Sequence, residues 1–365
     1  MRLFDLSRLR KLAFLLFVII LITKYAALPI FRALRSNKCH SVKRILFLKT
    51  HKTGGSSVAN ILFRFARRED LRVALPRSQI FSFYWPWSFQ VNFVDNLPSE
   101  KPDILCSHAR QIKYNQTSMR LLMPPDTKFF TILRHPISRF ESAFLFEDIP
   151  ALLGFSSSSN PFYQILHRLD RYKSNINTMY TLRNGMSFDL GLEPEDFENT
   201  QVIRNFISSV ERDFDLVLLL EYFDESLVLL KHHFCWSLED VLYLRHNARV
   251  RSFKKHHIPK QFRDRFLQWN KADVFLYQHF NRTFWKKVDS QGENFWHEVH
   301  LLRKRSLEMK EECLVPGEHR DKKSQTVSKL VLNPNIGKRN QELCEDLIKD
   351  EESYLNFFRG KQLQR

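Results

Sequence analysis

Three stretches of this chain hold the residue types that bind anions and move protons. The first reads Lys49-Thr50-His51-Lys52-Thr53-Gly54-Gly55-Ser56-Ser57. Gly54 and Gly55 let a backbone approach a ligand closely, while Thr53, Ser56 and Ser57 supply hydroxyl donors. Lys49 and Lys52 add positive charge, and a helix that starts here aims unpaired N–H groups and the positive end of its dipole at the same point. That is the chemistry of a phosphate cradle. A Walker A loop needs its lysine directly after the last glycine, whereas Lys52 precedes both glycines, so an ordinary ATP-hydrolysing P-loop is not expected. A basic turn that only caps a helix is the plain alternative.

The second stretch, Arg134-His135-Pro136-Ile137-Ser138-Arg139-Phe140-Glu141-Ser142, places an arginine eight residues before a serine. Pro136 suits the first turn of a helix, and two turns bring Ser142 back towards the strand end where Arg134 stands. There the guanidinium can fork onto a phosphate while Ser142 donates to it. Pairing of Arg134 with a carboxylate such as Glu141 is the competing arrangement. The third stretch is an apolar run, Ile104 to Cys106, that ends at His108-Ala109-Arg110.

All three follow short apolar runs, and those runs are the elements that must position them. Ile45–Leu48, Ile104–Cys106, Phe129–Leu133 and Leu216–Leu220 read as strands apolar on both faces. Between them, Val58, Ile61, Leu62 and Phe65, then Phe140, Ala143 and Phe144, then Leu227, Leu230 and Phe234 recur at helical spacing. Such alternation predicts an α/β fold, a parallel sheet flanked by helices. Ligands of such sheets sit outside the carboxyl ends of the strands, where all three stretches fall.

Composition limits what such a sheet can serve. The chain has 365 residues, 43% hydrophobic and 13% aromatic, with 33 Phe and only 9 Gly and 14 Pro, which excludes a disordered or collagen-like polymer. Five cysteines, Cys39, Cys106, Cys235, Cys313 and Cys344, form no CxxC or zinc pattern. An apolar run from Leu12 to Ile22 resumes at Tyr25 to Phe31, long enough for a bilayer. No clean cleavage site follows it, so an anchor is expected rather than the rival reading, a signal peptide. Sequons at Asn115 and Asn281 have meaning only if the large C-terminal part is lumenal. The expected order is therefore a cytoplasmic tail 1–11, a transmembrane signal anchor 12–31, a short stem 32–42 and a lumenal catalytic domain 43–365. This is a type II, single-pass membrane protein of the secretory pathway, a compartment where disulfides are permitted. The net charge of +17 then faces a nucleotide donor or an anionic glycan, and nucleic acid is not an expected partner.

With these loops, the chain resembles the Golgi membrane-bound carbohydrate sulfotransferases, and among them the galactose 3-O-sulfotransferases. Lys49 to Thr53 with Ser56-Ser57 and Asn60-Ile61-Leu62-Phe63-Arg64-Phe65 is similar to that family's 5′-phosphosulfate loop. Thr131 to Arg134 through Phe140-Glu141-Ser142 is similar to its 3′-phosphate motif. Phe214-Asp215-Leu216-Val217, Phe223 to Leu230, Cys235-Trp236, Asp240 to Tyr243 and Leu276 to Asn281 extend the likeness over residues 43 to 355. Gly54-Gly55 and His135 depart from it, since the family pattern has Ala or a single Gly at the first place and often Asp at the second.

The resemblance implies a P-loop-like sulfotransferase sheet and 3′-phosphoadenosine 5′-phosphosulfate (PAPS) as donor, held by Lys49, Lys52, Thr53, Gly54, Gly55, Ser56, Ser57, Arg134 and Ser142. It implies an acceptor with a terminal β-galactose, on a galactosylceramide-like glycolipid or a glycoprotein glycan, sulfated at its 3-hydroxyl. Lys52 would stabilise charge on the leaving phosphate oxygen. His108, within a His-x-Arg that matches the family, is the expected general base, and His51 is its competitor. No metal is required by this chemistry. A type II Golgi glycosyltransferase, suggested by Asp213-Phe214-Asp215, is the rival class, but that acidic pair precedes a strand instead of following one. A basic glycan-binding module would leave the Lys52 and Arg134 loops unexplained. Aromatics in Phe81 to Phe93 are expected in the core, with stacking on a sugar face or contact with lipid as the alternatives. Cys313 and Cys344 are candidates for a disulfide that closes the C-terminal region, where Trp269, Trp285 and Trp296 are expected to pack. A homo-oligomer is compatible with all of this.

Overall fold

The computed structural model of the chain describes residues 39–77, 82–95, 100–111, 117–147, 149–154, 161–172, 182–250, 258–320 and 327–362. The expected anchor and Asn115 of the first sequon lie outside the described residues. No described helix is long and apolar enough to cross a membrane. The chain divides into a unit of residues 1–41 and a unit of residues 42–365, and the second is described below.

Four runs of apolar residues form the sheet: β1 (Ile45–Leu48), β2 (Ile104–Ser107), β3 (Lys128–Leu133) and β4 (Leu216–Leu219). Every residue of β1 is fully buried, as uninterrupted apolar sequence requires of a strand covered on both faces. All pairings are parallel, in the order β2-β1-β3-β4. Strands β1 and β3 are neighbours with β2 on the far side of β1, so the order reverses between them and opens a crevice at their carboxyl ends. At the opposite edge, Asp215 accepts from the Phe129 N–H and from Lys128 Nζ, both at 2.9 Å, and so aligns the starts of β3 and β4. Asp215 is thus a strand-start brace, as its position before the apolar run predicts, while Asp213 ends a helix and pairs with Arg212.

Helix α1 (Gly55–Arg68) follows β1 and α2 (Pro136–Phe146) follows β3. A short helix α3 (Gly185–Asp189) precedes α4 (Thr200–Asp213), and α5 (Phe223–Phe234) follows β4. Further along the chain lie α6 (Lys260–Trp269), α7 (Lys271–Asp289), α8 (Asn294–Cys313), α9 (Gln341–Ile348) and α10 (Glu351–Gln362). Periodicity assigned one apolar face to α1, yet eleven of its residues are buried, Asn60 and Arg64 among them. The reason is tertiary: α9 and α10 cover its outer side. Asn60 Nδ2 donates to the carbonyls of Asp346 at 2.9 Å and Lys349 at 3.0 Å, and Phe63 packs on Tyr354.

A disulfide joins Cys313 at the end of α8 to Cys344 in α9, and Cys106 is a buried free thiol. One expectation fails here. Trp269 does not pack with the C-terminal region but lies in a separate cluster with Phe140, Phe144, Phe162 and Phe266 beneath α2. Its place at the end of α6 turns it to that side. Trp285 and Trp296 do stack on each other, with Trp296 43% exposed. Asn281 stands within α7, and its Oδ1 is buried.

Candidate active site

A cavity of about 760 Å³ opens at the carboxyl ends of the strands. The loop after β1 forms one wall. Lys52 and Gly54 both take left-handed conformations, with φ of 63° and 83°. A side chain at Gly54 would be strained there and would meet Leu220 Cδ1 at 2.6 Å; one at Gly55 would meet Lys49 Cγ at 2.7 Å. The paired glycines therefore answer to steric need on the cavity wall. Gly54 caps α1 without any side-chain bond, and no acidic residue stands in the first turn, so the helix end is free to take an anion from outside.

Of the predicted residues, Lys49, Lys52, Gly54, Gly55, Ser56, Ser57, His108, Arg134 and Ser142 all line this cavity. Thr53 does not. It is fully buried, and its hydroxyl donates to the Thr50 carbonyl at 3.0 Å, while Thr50 Oγ1 donates to Ile132 O at 2.6 Å. These hydroxyls tie the loop to β3, so the Thr53 side chain is engaged within the loop and does not line the cavity. Lys49 also differs from a free phosphate ligand, because its ammonium is paired with Glu351 of α10.

Ser56 Oγ accepts from Asn247 Nδ2 at 3.1 Å, and Ser57 Oγ from the His246 N–H at 3.0 Å. A hydroxyl that accepts keeps its proton for another partner, so both can donate into the cavity. Residues 245–249 line the same wall and bring Arg245 and Arg249. The sequence reading missed them, although Val241 to Leu244 followed by Arg245-His246-Asn247-Ala248-Arg249 repeats the signature of an apolar run ending in polar groups. Arg249 Nη1 binds Glu141 Oε1 at 3.0 Å, and Arg134 Nη1 donates to the Lys52 carbonyl at 3.0 Å. Glu141, the carboxylate expected to compete for Arg134, is thus engaged by Arg249.

Positive groups crowded into a half-closed space change their proton affinities. Burial, with the neighbouring charges of Arg134, Lys49 and Arg249, pushes Lys52 down to about 7 against the opposing pull of Glu147. Its Nζ sits 3.1 Å from the centroid of the Phe146 ring. Burial likewise holds His108 well below the usual imidazole range, helped by His51 and Lys49. His108 Nδ1 lies 3.0 Å from the Lys49 carbonyl, which only accepts, so the neutral ring carries its proton on Nδ1 and leaves the Nε2 lone pair open.

Beside it, His51 stacks on His108 and faces Trp85 at 4.3 Å between ring centroids. His51 Nδ1 lies 3.0 Å from Oδ2 of Asp189, the last residue of α3. The segment that brings Trp85 runs along β2: Phe83 N–H donates to His108 O at 2.8 Å and Phe89 N–H to Arg110 O at 2.8 Å. Phe83 and Phe89 are core, while Trp87 is 70% exposed. Arg110 turns away to Glu193 at 2.6 Å.

A parallel sheet flanked by helices, with an uncapped helix end, cations and two imidazoles gathered in one crevice at its carboxyl edge, defines an α/β protein with the parts of an enzyme site. The chain belongs to the galactose-3-O-sulfotransferase family, whose pattern it matches over residues 2–362. It is 33% identical to galactose-3-O-sulfotransferase 2 of Sus scrofa over 340 residues, which cover 86% of this chain and 82% of that protein. It is 36% identical to galactosylceramide sulfotransferase of Homo sapiens over 339 residues, 88% and 79% of the two chains. With galactose-3-O-sulfotransferase 3 of Bos taurus it shares 39% over 255 residues, 68% of this chain and 58% of that one.

Proposed function

We propose that this sulfotransferase moves the sulfuryl group of PAPS to the 3-hydroxyl of a terminal β-galactose. The observation that carries the reading is the uncapped start of α1 beside Lys52, facing Arg134 and Ser142 across one cavity that also holds two imidazoles. In it the 5′-phosphosulfate lies on the Gly54 to Ser57 N–H groups and hydroxyls, with the 3′-phosphate at Arg134 and Ser142. Arg245 and Arg249 add charge to that side.

The acceptor oxygen attacks sulfur as the bond from sulfur to the bridging phosphate oxygen breaks, and adenosine 3′,5′-bisphosphate leaves. Charge grows on the bridging oxygen, where Lys52 and the helix N–H groups stabilise it. The hydroxyl proton passes to Nε2 of His108, which burial keeps neutral and ready to accept. A second reading gives that proton to His51, whose bond to a carboxylate favours it. No step calls for a metal.

Similarity to the galactosylceramide enzyme supports a glycolipid acceptor, and similarity to the others leaves a glycoprotein galactose or another glycan in play. The N-terminal apolar run and the sequons support a type II Golgi membrane protein with this domain in the lumen. The test is transfer of labelled sulfate from PAPS, with EDTA present, to galactosylceramide, lactosylceramide, type 1 and type 2 galactosides and heparan. Label on a galactoside upholds the reading and identifies its acceptor. Label on heparan alone moves the acceptor to glycosaminoglycans, and absence of both transfer and bisphosphate binding returns a glycosyltransferase to consideration.

A further inference from the structure

We propose that Asp189 is the positioning residue of this site, fixing the protonation pattern of His51 and joining it to the aromatic wall at Trp85; the idea rests on the sulfotransferase reading and deepens it. Asp189 is 1% exposed, yet its carboxylate has three donors. The His51 N–H reaches Oδ2 at 2.7 Å, His51 Nδ1 reaches it at 3.0 Å, and Trp85 Nε1 donates to Oδ1 at 2.8 Å. One carboxylate thus holds the backbone of the donor loop, the side chain of that loop and an indole from the segment along β2.

Its rigidity comes from below. Helix α3 is clamped on Asp273, which accepts from Ser187 N at 2.8 Å and Ser187 Oγ at 2.7 Å, and the Asp189 carbonyl accepts from Gln111 N at 3.0 Å. Asp273 is itself fully buried beside Arg139 of α2. The carboxylate is therefore delivered by elements packed on the sheet, not by a surface loop.

An ionised carboxylate only accepts, so in the neutral ring the Nδ1 of His51 carries the proton and Nε2 keeps the lone pair, the same tautomer that the Lys49 carbonyl imposes on His108. The two rings stack with centroids 3.9 Å apart, and neither can turn without breaking its Nδ1 bond. If either ring took the other tautomer, an N–H would point where a base needs a lone pair. Asp189 acts through His51 and not on the substrate.

The experiment compares Asp189→Asn and Asp189→Glu with the unaltered chain. An amide keeps the shape but can turn its NH₂ to His51 Nδ1 and reverse the tautomer. For Asp189→Asn, kcat should fall by about 100-fold or more, with acceptor KM and the Kd of adenosine 3′,5′-bisphosphate each changed less than about threefold. Nitrogen NMR of the imidazoles should show His51 shifting from Nδ1–H to Nε2–H, and Asp189→Glu should recover part of the rate. Turnover within about threefold of the unaltered chain, or an unchanged His51 tautomer, overturns the proposal. So does loss of bisphosphate affinity in step with turnover, which would make Asp189 a brace of the donor loop only. If the unaltered chain sulfates no galactoside, the parent reading fails by itself, and the tautomer measurement still decides the role of Asp189.

Discussion

His51 and His108 stack with their rings 18° from parallel, although they come from loops after two different strands. Residues 57 positions apart in sequence meet because β1 and β2 are neighbours in register, Leu48 opposite Ser107. Each loop leaves its strand at the same height, and each ring is pinned at Nδ1.

Removal of His108 tests which imidazole takes the proton. His108→Ala should keep adenosine 3′,5′-bisphosphate affinity and lose turnover by roughly 100- to 10,000-fold. Normal turnover would transfer the role to His51. Because burial holds His108 low, the acid limb of kcat/KM in the intact enzyme should lie below pH 6.5, with activity falling only as His108 becomes protonated.

Lys52 makes donor binding depend on pH. Its free pKa of about 7 must rise when an anionic phosphate arrives, so binding takes up protons near and above pH 7. Affinity for the bisphosphate should be greatest below that value and decline as pH climbs through the bound pKa. Calorimetry in buffers of different ionisation enthalpy measures the uptake. Lys52→Ala should abolish the proton linkage and lower kcat by roughly 100- to 1,000-fold.

Arg134 faces a group remote from the breaking bond. Arg134→Ala should also abolish transfer at ordinary donor levels, but chiefly through weaker donor affinity, by about 10- to 100-fold in Kd for one charge-assisted bond. Unchanged affinity for the bisphosphate would remove Arg134 from the 3′-phosphate site.

Gly55 sets the approach of the loop to Lys49. In Gly55→Ala the new Cβ meets Lys49 Cγ at 2.7 Å, so the lysine stem and its pairing with Glu351 must shift. Reduced donor affinity with thermal stability nearly kept is the expected outcome, measured by calorimetry and a melting curve.

The disulfide between Cys313 and Cys344 closes a loop across 31 positions, worth roughly 3 to 4 kcal/mol in the chain-entropy account. Cys344→Ser should lower the unfolding free energy by about that amount in a denaturant titration. Since α9 packs on α1, a loss of donor affinity should accompany it.

The sheet and most of the cavity wall were legible in the sequence for local reasons. Uninterrupted apolar runs such as Ile45–Leu48 permit only a strand covered on both faces, and a loop rich in glycine, hydroxyl and lysine at its end has few other uses. Lys52, Arg134, Ser142 and His108 stood at or soon after strand ends and reached the cavity. Asp189, Glu351 and Arg249 were not legible, because each acts on a partner 138, 302 or 108 positions away. No local pattern marks a carboxylate that packing will aim at a distant imidazole or ammonium. Thr53 shows the converse, a hydroxyl of the right type in the right loop that the fold turned onto Thr50 instead. Sequence by itself determined the strands, the order of loops and helices and the chemical types available at the crevice. Tertiary packing alone decided which of those groups face it, which are already bound and in which protonation state they wait, because burial and the nearest opposite charge are properties of neighbours that the chain brings together only when folded.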